Sequence, residues 1–188
     1  DIMLDGVKFE AKNEKQALSQ GIVYVSEDRK KEGLVLGMSV AKNVTISSLG
    51  RFSKGQLINK KQEKESVLHY KDAMRIKTPS LDQSVKLLSG GNQQKVSIAK
   101  SLSTQPKILI MDEPTRGVDV GAKKEIYELM NEFKRNGLGI LMISSEIPEL
   151  LGVCDRIMVM SEGKIAGVLS RDKANSNEIM RLAIGAGV

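Results

Sequence analysis

The sequence predicts an α/β fold, a parallel sheet covered by helices, on the strength of three observations. From Ser89 onward the pattern alternates helix, strand, helix, strand, helix, strand, the order that builds such a sheet. Ile108-Leu109-Ile110-Met111 is an apolar run of strand length that ends in two carboxylates, Asp112-Glu113. Upstream, Leu88-Ser89-Gly90-Gly91-Asn92-Gln93-Gln94-Lys95 reads as a helix start, with serine at the cap and glycines in the first turn.

Residues 2–9 read as strand, turn, strand, with Asp5-Gly6 as the turn. Asn13 caps a short helix that runs through residue 20, because its side chain accepts from free first-turn amides, and Gly21 stops it. Ile22-Val23-Tyr24-Val25 is β-branched and apolar, and is expected as a buried strand. The charged loop Ser26-Glu27-Asp28-Arg29-Lys30-Lys31-Glu32-Gly33 leaves it.

Between residues 40 and 76 the apolar positions Val40, Val44, Ile46, Val67, Leu68, Met74 and Ile76 recur with helical spacing. They predict a small helical subdomain ended by Lys77-Thr78-Pro79-Ser80. Beyond the Ser89 helix, the predicted strands of the parallel sheet are 108–111, expected to be buried on both faces, 140–143 and 157–160. Glu162-Gly163-Lys164 turns into a last strand through 169, and Ser176 caps a final helix over 178–184.

With 188 residues and 40% hydrophobic content, the chain can bury one α/β core. Its longest apolar run, 138–143, falls far short of the roughly 20 residues a spanning helix needs. No signal-peptide pattern is visible. The single cysteine, Cys154, excludes a disulfide framework or a cysteine zinc cluster and suits a reducing cytoplasm. A net charge of +6 suits nucleic acid or an anionic membrane. Aromatics at 3% and dispersed lysines leave too few stacking platforms for the former, so the lysines are read as solvated.

Ser89 at an N-cap, followed by Gly90 and Gly91, leaves first-turn amides open to an anion. The positive end of the helix dipole converges on the same point, and a phosphate fits it. The tripeptide by itself also fits an ordinary capped helix start. At the C-terminal end of a buried strand, where open α/β sheets place ligands, Asp112 can hold Mg²⁺ and Glu113 can orient or deprotonate an attacking water.

The 88–95 run resembles the signature motif of ATP-binding-cassette (ABC) ATPases. Asp112-Glu113 resembles the family's Walker B aspartate and catalytic glutamate, and Pro114-Thr115-Arg116-Gly117-Val118-Asp119 its D-loop. The resemblance covers essentially the whole chain. It implies a P-loop NTPase-like ABC nucleotide-binding domain, with 1–37 and 97–188 in the catalytic core and 38–96 a helical subdomain carrying the signature. ATP and Mg²⁺ are the implied cofactors. Ser89, Gly90 and Gly91, with Gln93 nearby, would close over the γ-phosphate of ATP held on a partner domain, and Asp119 would contact that partner's site.

Three departures accompany the resemblance. No Walker A run, Gly-x-x-x-x-Gly-Lys-[Ser/Thr], occurs, and residues 1–9 resemble the strand region downstream of it. The expectation is a domain truncated at its N-terminus that by itself binds ATP poorly or not at all. Glu27 stands where the family has a glutamine that senses Mg²⁺ and water, and Ser145 stands where it has a switch histidine. Glu27 can still ligate a cation and Ser145 can still donate to phosphate. The sole histidine, His69, precedes the signature and is read as a surface or packing residue.

Residues 25–34, 88–95, 112–123 and 143–149 are most similar to the second cassette of bacterial monosaccharide importers, and 33–40 with 77–80 to the ribose-type members. This implies an ATPase at the cytoplasmic face of the bacterial inner membrane, working with a first ABC cassette and transmembrane permease subunits, and indirectly with a periplasmic sugar-binding protein. A soluble cassette of DNA repair or translation is disfavoured, because only a compact helical stretch separates Glu27 from Leu88. A noncatalytic regulatory cassette is favoured by Glu27, Ser145 and the missing Walker A, and opposed by Asp112, Glu113 and Ser89.

Overall fold

The computed structural model describes residues 2–55 and 57–185. They form two compact units, one through Ile143 and one from Ser144 onward. In the first unit, β1 (Met3–Leu4) and β2 (Val7–Lys8) pair antiparallel. Asp5 and Gly6 between them both take positive φ, 51° and 76°, as a tight hairpin turn requires. Helix α1 (Glu14–Ser19) is capped by Asn13, which accepts from the Gln16 amide at 3.0 Å. Gly21, at φ 91°, turns the chain into β3 (Ile22–Val25).

A π-helical turn, Arg29–Gly33, follows β3. Asp28 caps it by accepting from the Lys30 and Lys31 amides, each at 3.1 Å. These bonds, that from Lys31 foremost, hold the Asp28 carboxyl below the usual carboxylate range.

The predicted helical stretch contains α2 (Val40–Thr45), a 3₁₀ segment (Ile46–Phe52), then β4 (Ser53–Lys54), β5 (Leu57–Ile58) and α3 (Lys60–Ala73). The β4–β5 hairpin is not predicted, since two-residue strands carry no periodicity to detect. Val40, Val44, Val67, Met74 and Ile76 are buried as expected, whereas Ile46 and Leu68 are exposed. His69 is exposed and packs edge-on to Tyr70.

Helix α4 (Gly90–Leu102) contacts α2, α3, α5 and β3 and is buried along nearly its whole length. A helix enclosed on all sides must satisfy its polar side chains internally. Lys95 Nζ accordingly donates to Arg75 O at 3.1 Å and pairs with Glu125. The expected domain boundary at 96/97 lies inside this helix.

After α4 come β6 (Ile108–Asp112), α5 (Val120–Arg135) and β7 (Gly139–Ile143). The sheet is parallel in the order β3-β6-β7, with Val25 opposite Met111 and Asp112 opposite Ile143. The loops after β3 and β6 therefore leave the same C-terminal edge. Burial is less complete than predicted. Leu109 and Met111 are fully enclosed, but Ile108 and Ile110 are half-buried and Tyr24 is 53% exposed.

The second unit holds α6 (Ile147–Val153), β8 (Arg156–Ser161), β9 (Lys164–Ser170) and α7 (Ser176–Ala183). Its buried centre is Ile157, Val159 and Ile179, with Leu150, Leu169 and Leu182 packed around them. The 157–160 strand does not join the parallel sheet as predicted. β8 pairs antiparallel with β9 across the Glu162-Gly163 turn, and a hairpin partner adjacent in sequence is the cheaper closure. The last helix is capped by Asn175 rather than Ser176, the Asn175 side chain accepting from the Glu178 amide at 3.0 Å.

Candidate functional site

The tip of α4 is built by its cap. Ser89 is exposed, with extended backbone (φ −60°, ψ 158°). Its Oγ accepts from the Asn92 amide at 3.4 Å and from Asn92 Nδ2 at 3.0 Å, while Ser89 O accepts the Gln93 amide at 2.9 Å. Among the described residues, the Gly90 and Gly91 amides have no hydrogen-bond acceptor. Gly90 is half-buried and Gly91 buried, so of these two donors at the positive helix end the Gly90 amide, beside exposed Ser89, is the more accessible to an anion.

The glycines serve a second purpose that the sequence does not disclose. A Cβ on Gly91 would lie 2.5 Å from Ala122 Cβ on α5, and one on Gly90 would lie 3.0 Å from both Arg29 Nη2 and Gly117 O. Glycine is thus demanded by the close approach of α5 and the loop before it.

That loop leaves β6 at Asp112. Glu113 takes φ 43°, its amide donates to Ile143 O at 2.9 Å, and its carbonyl accepts from the Arg116 amide at 3.0 Å. The turn ends at Asp119, which is exposed and caps α5 by accepting from the Ala122 amide at 3.0 Å. Asp119 Oδ2 lies 3.7 Å from the Cβ position of Gly91. The structure thus sets Asp119 beside the tip that Ser89 caps.

Tyr24 on β3 donates its hydroxyl to Asp112 Oδ2 at 2.7 Å. The bond to this carboxylate, then desolvation, raises the phenol's pKa. Asp112 presents a hard oxygen donor at a strand end, which fits Mg²⁺, an ion held by one or two carboxylates with waters and phosphate. Among the described residues no cluster of three or more His, Cys, Asp or Glu side chains is assembled for a metal. Glu27 forms an ion pair with Arg116.

Gln93 is only 5% exposed. Its Nε2 donates to Val85 O and Leu88 O, both at 3.2 Å, so its amide braces the segment entering the helix. The polar side chain at the tip is Asn92, whose Oδ1 also accepts from the Lys77 amide at 2.8 Å. Its position three residues after the cap was a legible signal, since side chains there reach back to the cap. Ser145 is exposed in the second unit, where its neighbour Ser144 Oγ donates to Glu149 Oε2 at 3.1 Å.

Arg29 is the second side chain sequence reasoning missed. It is 9% exposed, donating from Nη1 to Arg116 O at 2.7 Å and from Nη2 to Gly117 O at 3.1 Å. Burial pulls its pKa down. In sequence it is one of several charges in a row, and only the Asp28-capped turn separates it from the exposed Lys30 and Lys31.

Comparison with protein families matches residues 1–116 to the family described as ABC transporter. The chain belongs to the ABC transporter family. Two curated proteins of Clostridium perfringens, from strain 13 / Type A and strain SM101 / Type A, each bear the name Ribose import ATP-binding protein RbsA. Each is 54% identical to this chain over 186 residues, 98% of it, and the chain spans 37% of their length.

Solved ABC structures agree in fold. The cbiO1 protein of Clostridium perfringens, part of the ABC transporter complex cbiONQ, superposes with TM-score 0.77 at 22% identity, over 99% of this chain and 72% of its own. The dimeric ATP-binding cassette MJ0796, bound to ADP and Pi, gives 0.73 at 19% identity, over 89% and 72%. The fold is that of an ABC ATPase cassette, mixed α/β with a parallel sheet.

Proposed function

We propose that these residues belong to the ATP-hydrolysing subunit of a bacterial importer that energises uptake of a monosaccharide, ribose being the best-supported sugar. The observation that carries the reading is the exposed Ser89 cap with the two acceptorless glycine amides behind it, set beside Asp119. The 54% identity to proteins named for ribose import supports the sugar. The γ-phosphate of bound Mg²⁺·ATP supplies the electrophilic phosphorus.

In this reading Ser89, Gly90 and Gly91 donate to phosphate oxygens of ATP held on a first ABC cassette, and Asp119 reaches across to that cassette. Asp112 ligates Mg²⁺, while Glu113 accepts a proton from the attacking water. Gln93 acts from inside by holding the 85–88 segment. Glu27, in the first unit, is assigned as a contact to cation, and Ser145, in the second, as a contact to phosphate. The subunit sits peripherally at the cytoplasmic face of the inner membrane against permease subunits fed by a periplasmic sugar-binding protein. No helix among the described residues is long and apolar enough to cross a membrane.

The Glu27–Arg116 ion pair favours a second reading, a noncatalytic cassette that contributes only its signature helix. ATP turnover by the assembled transporter separates the readings. Ser89→Arg, which blocks the tip with bulk, is expected to lower turnover about a hundredfold. Glu113→Gln lowers it comparably if this domain's own edge is catalytic and leaves more than half if it is not. Turnover indifferent to Ser89→Arg refutes both.

A further inference from the structure

From the contacts of one buried side chain we infer that Arg29 is a positioning residue, clamping the 116–119 loop against the tip of α4 and so setting the geometry in which Ser89, Asp119 and Glu113 act. The inference rests on the functional reading above and adds to it a residue that touches neither nucleotide nor metal.

Three observations carry it. The guanidinium donates to two consecutive backbone carbonyls, Arg116 O at 2.7 Å and Gly117 O at 3.1 Å, in the forked geometry only arginine offers. Its Nη2 lies 3.0 Å from where a Cβ on Gly90 would stand, so the same group that holds the loop abuts the helix tip. The turn that carries Arg29 is itself fastened along α4, because Lys100 Nζ donates to Gly33 O at 2.6 Å and a Cβ on Gly33 would meet Ser97 Oγ at 2.9 Å.

Loop, turn and helix are therefore joined at both ends of the Arg29–Gly33 turn. The arrangement carries a cost. Among the described residues Arg29 makes no hydrogen bond or ion pair to a carboxylate, only the nearby charge of Asp28 favours its cationic form, and its Nε is buried without a hydrogen bond. A buried cation spent on neutral carbonyls is expensive, and a neutral side chain would fill the space at lower cost if packing were its only purpose. Held carbonyls in mid-loop fix Glu113 at one end and Asp119 at the other, and misplacing reacting groups by ångströms costs rate rather than nucleotide affinity.

The test measures kcat and KM for ATP, with melting temperature, in the assembled transporter. Arg29→Met is expected to lower kcat about tenfold while KM stays within about twofold, and Arg29→Lys, which keeps the charge and one donor but not the fork, to recover only part of the loss. Gly90→Ala pries at the same contact with Arg29 present. It should lower kcat in the same direction, and the double variant Arg29→Met with Gly90→Ala should be no worse than Arg29→Met. An unchanged kcat in either single variant overturns the proposal, as do equal losses in Arg29→Met and Arg29→Lys accompanied by a lowered melting temperature. Should Arg29→Met not fold, Arg29→Lys and Gly90→Ala decide together: an unchanged kcat in either overturns the proposal, and a lowered kcat in both at unchanged KM supports it. Ser89→Arg run in parallel separates the two levels: if it leaves turnover intact the functional reading fails, and if it abolishes turnover while Arg29→Met is silent only the clamp fails.

Discussion

The hydroxyl of Tyr24, on β3, donates to Asp112 Oδ2, at the end of β6, across 2.7 Å. The bond leaves Oδ1 for a cation and fixes the plane of the carboxylate that would hold it. Supporting donors of this kind commonly tune metal affinity by tenfold or more. Tyr24→Phe should therefore raise the Mg²⁺ concentration for half-maximal ATP turnover by about tenfold, with little change in melting temperature because the phenol is half-exposed. A lower Mg²⁺ requirement would mean that Tyr24 competes with the ion instead.

The fit of Gly91 against Ala122 predicts a reciprocal pair. Gly91→Ala sets two β-carbons 2.5 Å apart on facing helices and should destabilise the chain by about 1–3 kcal/mol. Adding Ala122→Gly reopens the space at a helix cost of about 1 kcal/mol, so the double variant should be more stable than Gly91→Ala alone. Chemical denaturation of the three variants checks this. Additive losses would show that the helices do not meet there.

Acid should weaken the link between α4 and α5. The hydrogen bond from Lys95, reinforced by the charges of Lys95, Lys77 and Arg75, holds the Glu125 carboxyl below the usual range. A depressed carboxyl contributes its full stability above the ordinary glutamate value of about 4.3 and loses it as the pH falls through the lower native value. At neutral pH the parent should exceed Glu125→Gln by about 2 kcal/mol, typical of a hydrogen bond to a charged group. Denaturant midpoints should converge as the pH falls below the ordinary glutamate value and through the lower native one. A gap that is constant with pH contradicts the pairing.

Much of this was legible in the residues. Asn13, Asp5-Gly6 and Ser89 announce caps and turns through local chemistry, and the 108–111 run announces the central strand through its length and apolarity. What stayed hidden depended on partners distant in sequence. Arg29 and Gly117 are 88 positions apart, and nothing in a run of charges tells which one turns inward. The same holds for Gly91, whose neighbour Ala122 lies on another helix, and for β8, whose apolar residues suit a parallel sheet and a hairpin equally. Gln93 looked like part of the tip, but helical rotation from Ser89 carries it inward and leaves Asn92 outside.

The most direct measurement is the accessibility of position 89 itself. In the assembled transporter, with a single cysteine introduced by Ser89→Cys in a background lacking Cys154, the thiol-labelling rate is followed with and without Mg²⁺ and a non-hydrolysable ATP analogue. The account predicts that nucleotide slows labelling at least about tenfold, because the α4 tip closes on a phosphate held by the other cassette. A labelling rate unchanged by saturating nucleotide contradicts it.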